Sequence, residues 1–311
     1  MAFFNALPGA VAQGLIWGLM AIGVYISYKI LDIADLTVDG SICTGACVCA
    51  VLIGLGTPPW VSVLVALLAG ALTGVVTGLL HTKLGIPSIL AGILTQLMLY
   101  TVNLLILGGK SLLAIDPRAN QLLVHMSDNN RSILSLAIIV AITIYALYKF
   151  FYTEVGLTLK STGDNPDMSR AQGVDVNRNK VIGLAIANGI VAMAGALLAQ
   201  YKGSANINDG RGAIVIGLAA IFIGLSISLK IKPNFVVSLI GVTGGGIIYY
   251  IVYNVVILMG LKTDYLKMLS ALIVALFLGI PYLKATYFTK YKDLHSAQTA
   301  SQTTPGGDDH A

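Results

Sequence analysis

Three carboxylates, Asp32, Asp35 and Asp39, fall within the short apolar stretch LDIADLTVDGS. Side chains of this type at this spacing can hold a proton or a cation, or line a wet path. The whole chain has only fourteen acidic residues, so the grouping is pronounced. A carboxylate facing lipid at the bilayer centre costs about 2.5–3.5 kcal/mol on insertion scales. These three therefore either sit at a membrane interface, or break the helix and line a water-filled cavity. Thr37, Gly40 and Ser41 favour a break or a helix start, and Asp39 can cap the span that follows. A second polar start, Asn208-Asp209-Gly210, precedes another Gly/Ala-rich run.

Other reactive side chains form no catalytic set. Cys43, Cys47 and Cys49 share one apolar span at a spacing that matches no zinc pattern, so they read as small packing residues and no metal is expected. Gly109-Lys110-Ser111 has the end of a phosphate-binding loop, but Leu104 stands where that loop needs its first glycine. No nucleotide site is expected on this chain.

The longest polar run between apolar spans is 154–180. Inside it Asn165 can cap a helix, and Pro166 fits the first helical position. Asp167 suits the dipole there, and Gly173 can take the left-handed stop. The expected helix, 166–172, is too short to stand alone in water and must be held by its own protein or by a partner.

These residues need a frame, and the composition supplies it. The chain is 56% hydrophobic and 11% charged, with a mean hydropathy of +0.83. Soluble domains carry about 25% charged residues. Apolar segments recur at roughly 6–28, 37–55, 60–82, 86–108, 132–152, 181–202, 213–229, 234–260 and 265–283. Each approaches the ~20 residues that cross ~30 Å of hydrocarbon as a helix. The expected fold is an all-α polytopic membrane protein of about nine transmembrane helices, in the range eight to ten. A single transmembrane domain covers 1–294, and a polar tail, 295–311, is expected to be disordered. The N-terminus lacks a basic n-region, so the first span reads as retained.

Nine spans divide the loops into two sets. Twelve of the nineteen Lys and Arg fall on the side that carries 154–180, and seven on the other. That excess puts 154–180 and the C-terminus in the cytoplasm and the N-terminus outside. The net charge of +5 then needs no nucleic acid. The loop 109–131 is the longest on the outer face and reads as either a lid or a connector.

Asp209 lies 170 residues beyond Asp39, and Ile223-Gly224-Leu225 lies 170 beyond Ile53-Gly54-Leu55. Five spans intervene, so the copies would run in opposite directions: an inverted internal repeat with interrupted helices at 32–41 and 204–212. Chance similarity between apolar segments is the alternative. Gly70, Gly74 and Gly78, like Gly14 and Gly18, form small stripes that let helices approach closely. Gln13, Gln96, Asn103, Asn188, Gln200 and Asn254 must face protein or water, as helix glue or as contacts to cargo.

LDIADLTVDGSICTGA resembles the second-span signature of permease subunits of bacterial ABC importers of the branched-chain amino-acid and ribose class. GLTLKSTGDNPDMSRAQGVDVNRNK resembles that family's cytoplasmic loop, and the likeness runs through nearly the whole chain. Among its members the chain looks closest to permeases of uncharacterised or aromatic amino-acid importers. The resemblance implies a non-catalytic subunit of the bacterial cytoplasmic membrane, paired with a second copy. Two ATPases below would bind ATP and Mg²⁺, while this chain binds no cofactor. An extracytoplasmic binding protein would meet the outer loops 109–131 and 204–212. The coupling helix, which contacts the ATPase, would comprise Gly163, Asp164, Asn165, Pro166, Asp167, Met168, Ser169, Arg170, Ala171, Gln172 and Gly173. Ser161 and Thr162 follow Lys160 where many relatives are basic. The translocation pathway would include Asp35, Thr37, Asp39, Ser41, Gln96, Asn188, Asn208 and Asp209. The cargo is expected to be a small neutral or zwitterionic solute, an amino acid before a sugar or nucleoside. The rival reading is an ion-coupled secondary transporter that uses Asp32, Asp35 or Asp39.

Overall fold

The computed structural model describes residues 2–115, 122–126, 128–228 and 234–258, with isolated positions from 268 to 279. Most of the segment 265–283, the tail 295–311 and part of the loop 109–131 lie outside those residues. Ten α-helices make up the described bundle: α1 Ala2–Tyr25, α2 Val38–Gly54, α3 Pro59–Thr82, α4 Ser88–Ile106, α5 Asn129–Phe151, α6 Glu154–Asp164, α7 Pro166–Ala171, α8 Val176–Lys202, α9 Ala213–Ser228 and α10 Phe235–Leu258. A two-stranded antiparallel ribbon pairs β1, Leu112–Ala114, with β2, Ser204–Asn206. α6 and α7 mark one end of the bundle and the ribbon marks the other.

Among the described residues, six helices are long and apolar enough to cross a membrane. α2 and α9 are apolar but shorter, at 17 and 16 residues. At 1.5 Å per residue they reach about 25 Å, short of ~30 Å of hydrocarbon. The missing length is irregular chain. After α1 a π-helical turn, Ile26–Ile30, leads into Asp32, whose φ of +55° an aspartate tolerates better than most residues. The stretch 31–37 then returns into the bundle. The stretch 207–212 does the same from the ribbon end.

Helix α8 is the ruler for depth. Ser41, near the start of α2, bonds Asn188 near the middle of α8, while Cys49 lies against Gln200 at the ribbon end. α2 therefore climbs from mid-depth to the ribbon. α9 starts beside Asp39 and descends past Met20 and Val24 towards the α7 end. The two short helices place their N-termini side by side at mid-depth and run apart. The two run in opposite directions from interrupted starts, as an inverted repeat expects, although those starts, Val38 and Ala213, lie 175 residues apart and not 170 (213 − 38 = 175).

The join corrects one expectation. Asp39 does not cap its own helix; the N-cap of α2 is Thr37, without a side-chain cap bond. Asp39 caps the other copy instead. Its carboxylate accepts from the backbone N–H of Gly212 and of Ile214, each at 2.9 Å. Two positive helix ends converge on one carboxylate.

The glycine stripes pack as their spacing implies. α3 lies on α8 with Gly70 against Ala192 and Asn188, Gly74 against Leu184, and Gly78 against Val181. Gly14 and Gly18 admit α10 at Ile247 and Thr243. The outer faces of α3 and α5 carry exposed apolar residues four apart, Leu64, Leu68, Leu72 and Val76, then Leu134, Ile138 and Ile142, as a lipid-facing surface should.

Gly74→Val drives a side chain into the backbone of α8, and is expected to cost about 3 kcal/mol. Gly54→Ala, with open space around it, should be neutral. The buried Cys43, Cys47 and Cys49 allow a thiol-reactive dye to follow thermal unfolding of both variants. By the same assay Asp39→Ala should lose about 2 kcal/mol, as a strong helix cap does, and Asp39→Asn clearly less.

Candidate functional site

The end of the bundle that carries α7 is built on hydrogen bonds of its own. Thr153 caps α6 by accepting from Gly156 N–H at 3.3 Å. Asn165 caps α7 by accepting from Met168 N–H at 3.0 Å, and Pro166 takes the first helical position. The helix ends at Ala171, with Gln172 as its C-cap and Gly173 at φ +83°, close to the expected bounds. α6 is an addition to the expected elements; 154–164 reads as polar loop, yet Gly156, Leu159 and Thr162 form a buried face three residues apart.

Three contacts anchor this pair. Gly163 lies against the backbone of Ile30 and Leu31, where α1 gives way to the returning stretch 31–37. Leu31 in turn packs on Gly183 of α8. Asn179 of α8 donates to Thr162 Oγ1 at 3.0 Å, and Ser169 Oγ of α7 donates to Ser161 Oγ at 3.3 Å. The tip points outward. Met168 is 60% exposed, and the Arg170–Asp167 pair at 3.2 Å is open to solvent.

The eight pathway candidates divide into three groups. Asp35, Thr37, Ser41 and Asn188 close into a buried network at mid-depth. Asp35 accepts from Thr37 N–H at 2.9 Å and from Asn188 Nδ2 at 2.6 Å. Asn188 Oδ1 accepts from Ser41 Oγ at 2.7 Å, and Ser41 shares a bond of 2.6 Å with Thr73. Thr37 joins Thr77 at 2.7 Å, and Thr77 donates to Thr95 at 3.0 Å. This network fastens the returning stretch to α2, α3, α4 and α8.

The other candidates line cavities. Asp39 and Gln96 line one of about 300 Å³ between α2, α4 and the stretch before α9, together with Cys43, Tyr100, Asn103 and Arg211. Asn208 and Asp209 line a second, of about 420 Å³, at the ribbon end between α1 and α10. There Trp17 stacks on Tyr250 with ring centroids 5.8 Å apart, and Tyr249 and Tyr253 extend the aromatic wall. Asp209 is held by Lys202 at 3.1 Å and by the N–H of Asn206 at 3.2 Å. A third cavity, of about 520 Å³, opens near α6, lined by Lys29, Lys160, Phe151 and Phe235 among others. The buried network at mid-depth lines none of the three. Neither does Asp32, which is exposed in the turn after α1.

The six amides also separate. Gln200 is glue: its Nε2 donates to Pro59 O, and its Oε1 accepts from Leu123 N–H. Asn188 belongs to the network, and Asn254 donates to Ala6 O at 3.4 Å. Gln13 faces the second cavity, and Gln96 and Asn103 face the first. Tyr100 and Arg211 join the site without being among the residues expected there. The spacing of Gln96, Tyr100 and Asn103 is the signal that finds the tyrosine, since positions four and seven apart share a helix face. No cluster of His, Cys, Asp and Glu suited to a metal occurs among the described residues.

The sequence matches the protein family described as "Branched-chain amino acid transport system / permease component" over residues 7–280. It is 36% identical over 276 residues to a tyrosine transport system permease protein of Clostridioides difficile, covering 88% of this chain and 91% of the relative. An uncharacterized protein of Rickettsia prowazekii is 31% identical over 282 residues, covering 90% and 98%. The ribose import permease protein RbsC of Escherichia coli is 24% identical over 275 residues, covering 88% and 84%. No solved structure matches the chain. With the family match spanning almost all of its helices, this multi-pass protein belongs to the branched-chain amino acid transport system permease family.

Proposed function

We propose that this chain is the membrane-spanning, non-catalytic subunit of an ATP-driven importer of a small polar solute, an amino acid, with α7 as the helix that receives force from a cytoplasmic ATPase. The observation that carries the reading is the seat of Gly163 on Ile30 and Leu31. A push on the exposed tip of α7 passes through α6 to the turn where the chain re-enters the bundle. From there it reaches Asp35, Thr37 and Asp39, and through Asp39 the start of α9. Packed elements with two arrangements carry such displacements. ATP binding on the partner can then bias an inward-open against an outward-open packing, because the nucleotide favours one state of the assembly over the other.

In this assembly two copies of the chain flank the path, and the excess of Lys and Arg sets the α7 end in the cytoplasm. The N-terminus and the ribbon then lie outside, where an extracytoplasmic binding protein delivers solute. An amino acid is favoured over a sugar by the similarity to the tyrosine permease at 36% identity, against 24% for the ribose permease. The ion-coupled alternative is less well supported, because protein donors already bond both oxygens of Asp35 and of Asp39.

Replacement of 165–173 by a flexible linker should abolish amino-acid uptake and ATPase stimulation in proteoliposomes that hold the whole transporter, while the bundle still melts cooperatively. Uptake that survives this replacement, or uphill transport by the purified chain alone, overturns the reading. The milder Asn165→Ala removes one cap, worth about 1 kcal/mol. It should lower stimulated hydrolysis several-fold and leave the unstimulated rate of the ATPase unchanged.

A further inference from the structure

The cavity between α2, α4 and the stretch before α9 holds a buried acceptor and a cation. Asn103 is 1% exposed and lines it, and the carbonyl oxygen of its side chain has no hydrogen-bond partner among the described residues. A buried acceptor without a donor costs about 1–3 kcal/mol, so native proteins rarely keep one without a use. Arg211, which stands between this cavity and the second and lines both, is exposed. The carboxylates around it are committed elsewhere. Asp209 is paired with Lys202, and both oxygens of Asp39 take backbone N–H groups. The guanidinium therefore makes no ion pair among the described residues. One wall thus offers a free acceptor and another offers a free cation, with the Gln96 amide and the Tyr100 ring between them.

We infer that this cavity is a solute-binding station inside a single copy of the chain, and that it holds a free α-amino acid. The ammonium donates to Asn103 Oδ1, and the carboxylate accepts from Arg211. The inference rests on the amino-acid reading above and adds a place and a polarity to it. The volume of about 300 Å³ is at the small end for ligand pockets, which suits one small solute. The floor of the cavity is formed by Asp39 and Gly40, beside the joined starts of α2 and α9. A solute held there rests directly on the element that the α7 path moves. A sugar satisfies Asn103 but leaves the cation without an anion, and so fits this wall less well.

The test uses the full chain in lipid nanodiscs, with binding of L-tyrosine, L-leucine, their carboxamides and ribose measured by equilibrium dialysis. The wild type should hold an amino acid about tenfold more tightly than its carboxamide, a difference expected when one charged contact is lost. Arg211→Gln should erase that difference, and as an exposed position it leaves the fold intact. Asn103→Leu should weaken both forms at least tenfold, with melting unchanged or raised because the unmet acceptor is gone. Equal affinity for acid and carboxamide in the wild type overturns the station, as does undiminished binding by Asn103→Leu. Uptake of amino acids by the whole transporter tells the two levels apart. If uptake is present and insensitive to both substitutions, the station is wrong and the importer reading stands. If the wild type takes up and binds ribose but no amino acid, the amino-acid reading itself falls.

Discussion

Backbone polar groups inside hydrocarbon must be paired within the protein, and this protein breaks two of its helices there. Each break frees N–H groups at a depth where no bulk water can meet them. The chain solves this by bringing both broken ends to one place. Asp39 answers the N–H groups of Gly212 and Ile214, and Asp35 answers that of Thr37. Asn188, Ser41 and Thr73 then tie the first stretch to α8 and α3. Cys43 adds two bonds to the second stretch, accepting from Gly210 N–H at 3.0 Å and donating to Ile207 O at 3.3 Å.

Close approach of backbones makes that geometry reachable. α8 is in contact with α2 and α3 through glycines on both sides: Gly45 and Gly195 between α2 and α8, Gly70 and Gly74 between α3 and α8. Without side chains at these points the helices come near enough for Ser, Thr and Asn to bond across. With α2 and α3 both drawn close to α8 by these glycines, Thr37 bonds Thr77 and Ser41 bonds Thr73 between them. Packing and polar bonding are thus one feature, not two.

Much of this architecture can be read from the amino-acid sequence. Eight of the nine apolar segments coincide with described helices, because continuous apolar runs leave few alternatives in a bilayer. The cap and stop of α7 are legible because their signals are local: Asn165 bonds three residues ahead. The equal offsets of Asp39 and Asp209 point to the inverted repeat. The partner of Asp39 is not legible, because it lies 173 residues away and nothing local distinguishes a cap on one's own helix from a cap on another. α6 escapes sequence reading because its buried face is narrow, made of one glycine, one leucine and one threonine. Among six similar amides, sequence does not separate fasteners such as Gln200 from lining residues such as Asn103. That distinction depends on which helix happens to stand opposite.

The two short helices meet at their starts and differ in their aspartates. Asp39 reaches across to the other half, whereas Asp209 turns aside to Lys202. A body duplicated in opposite orientations presents equivalent faces to the two sides of its membrane, as a reversible turnstile does. The unequal fates of these aspartates break that equivalence, so packings open to one side and to the other differ in energy; such a difference sets which is populated and cannot by itself drive net passage.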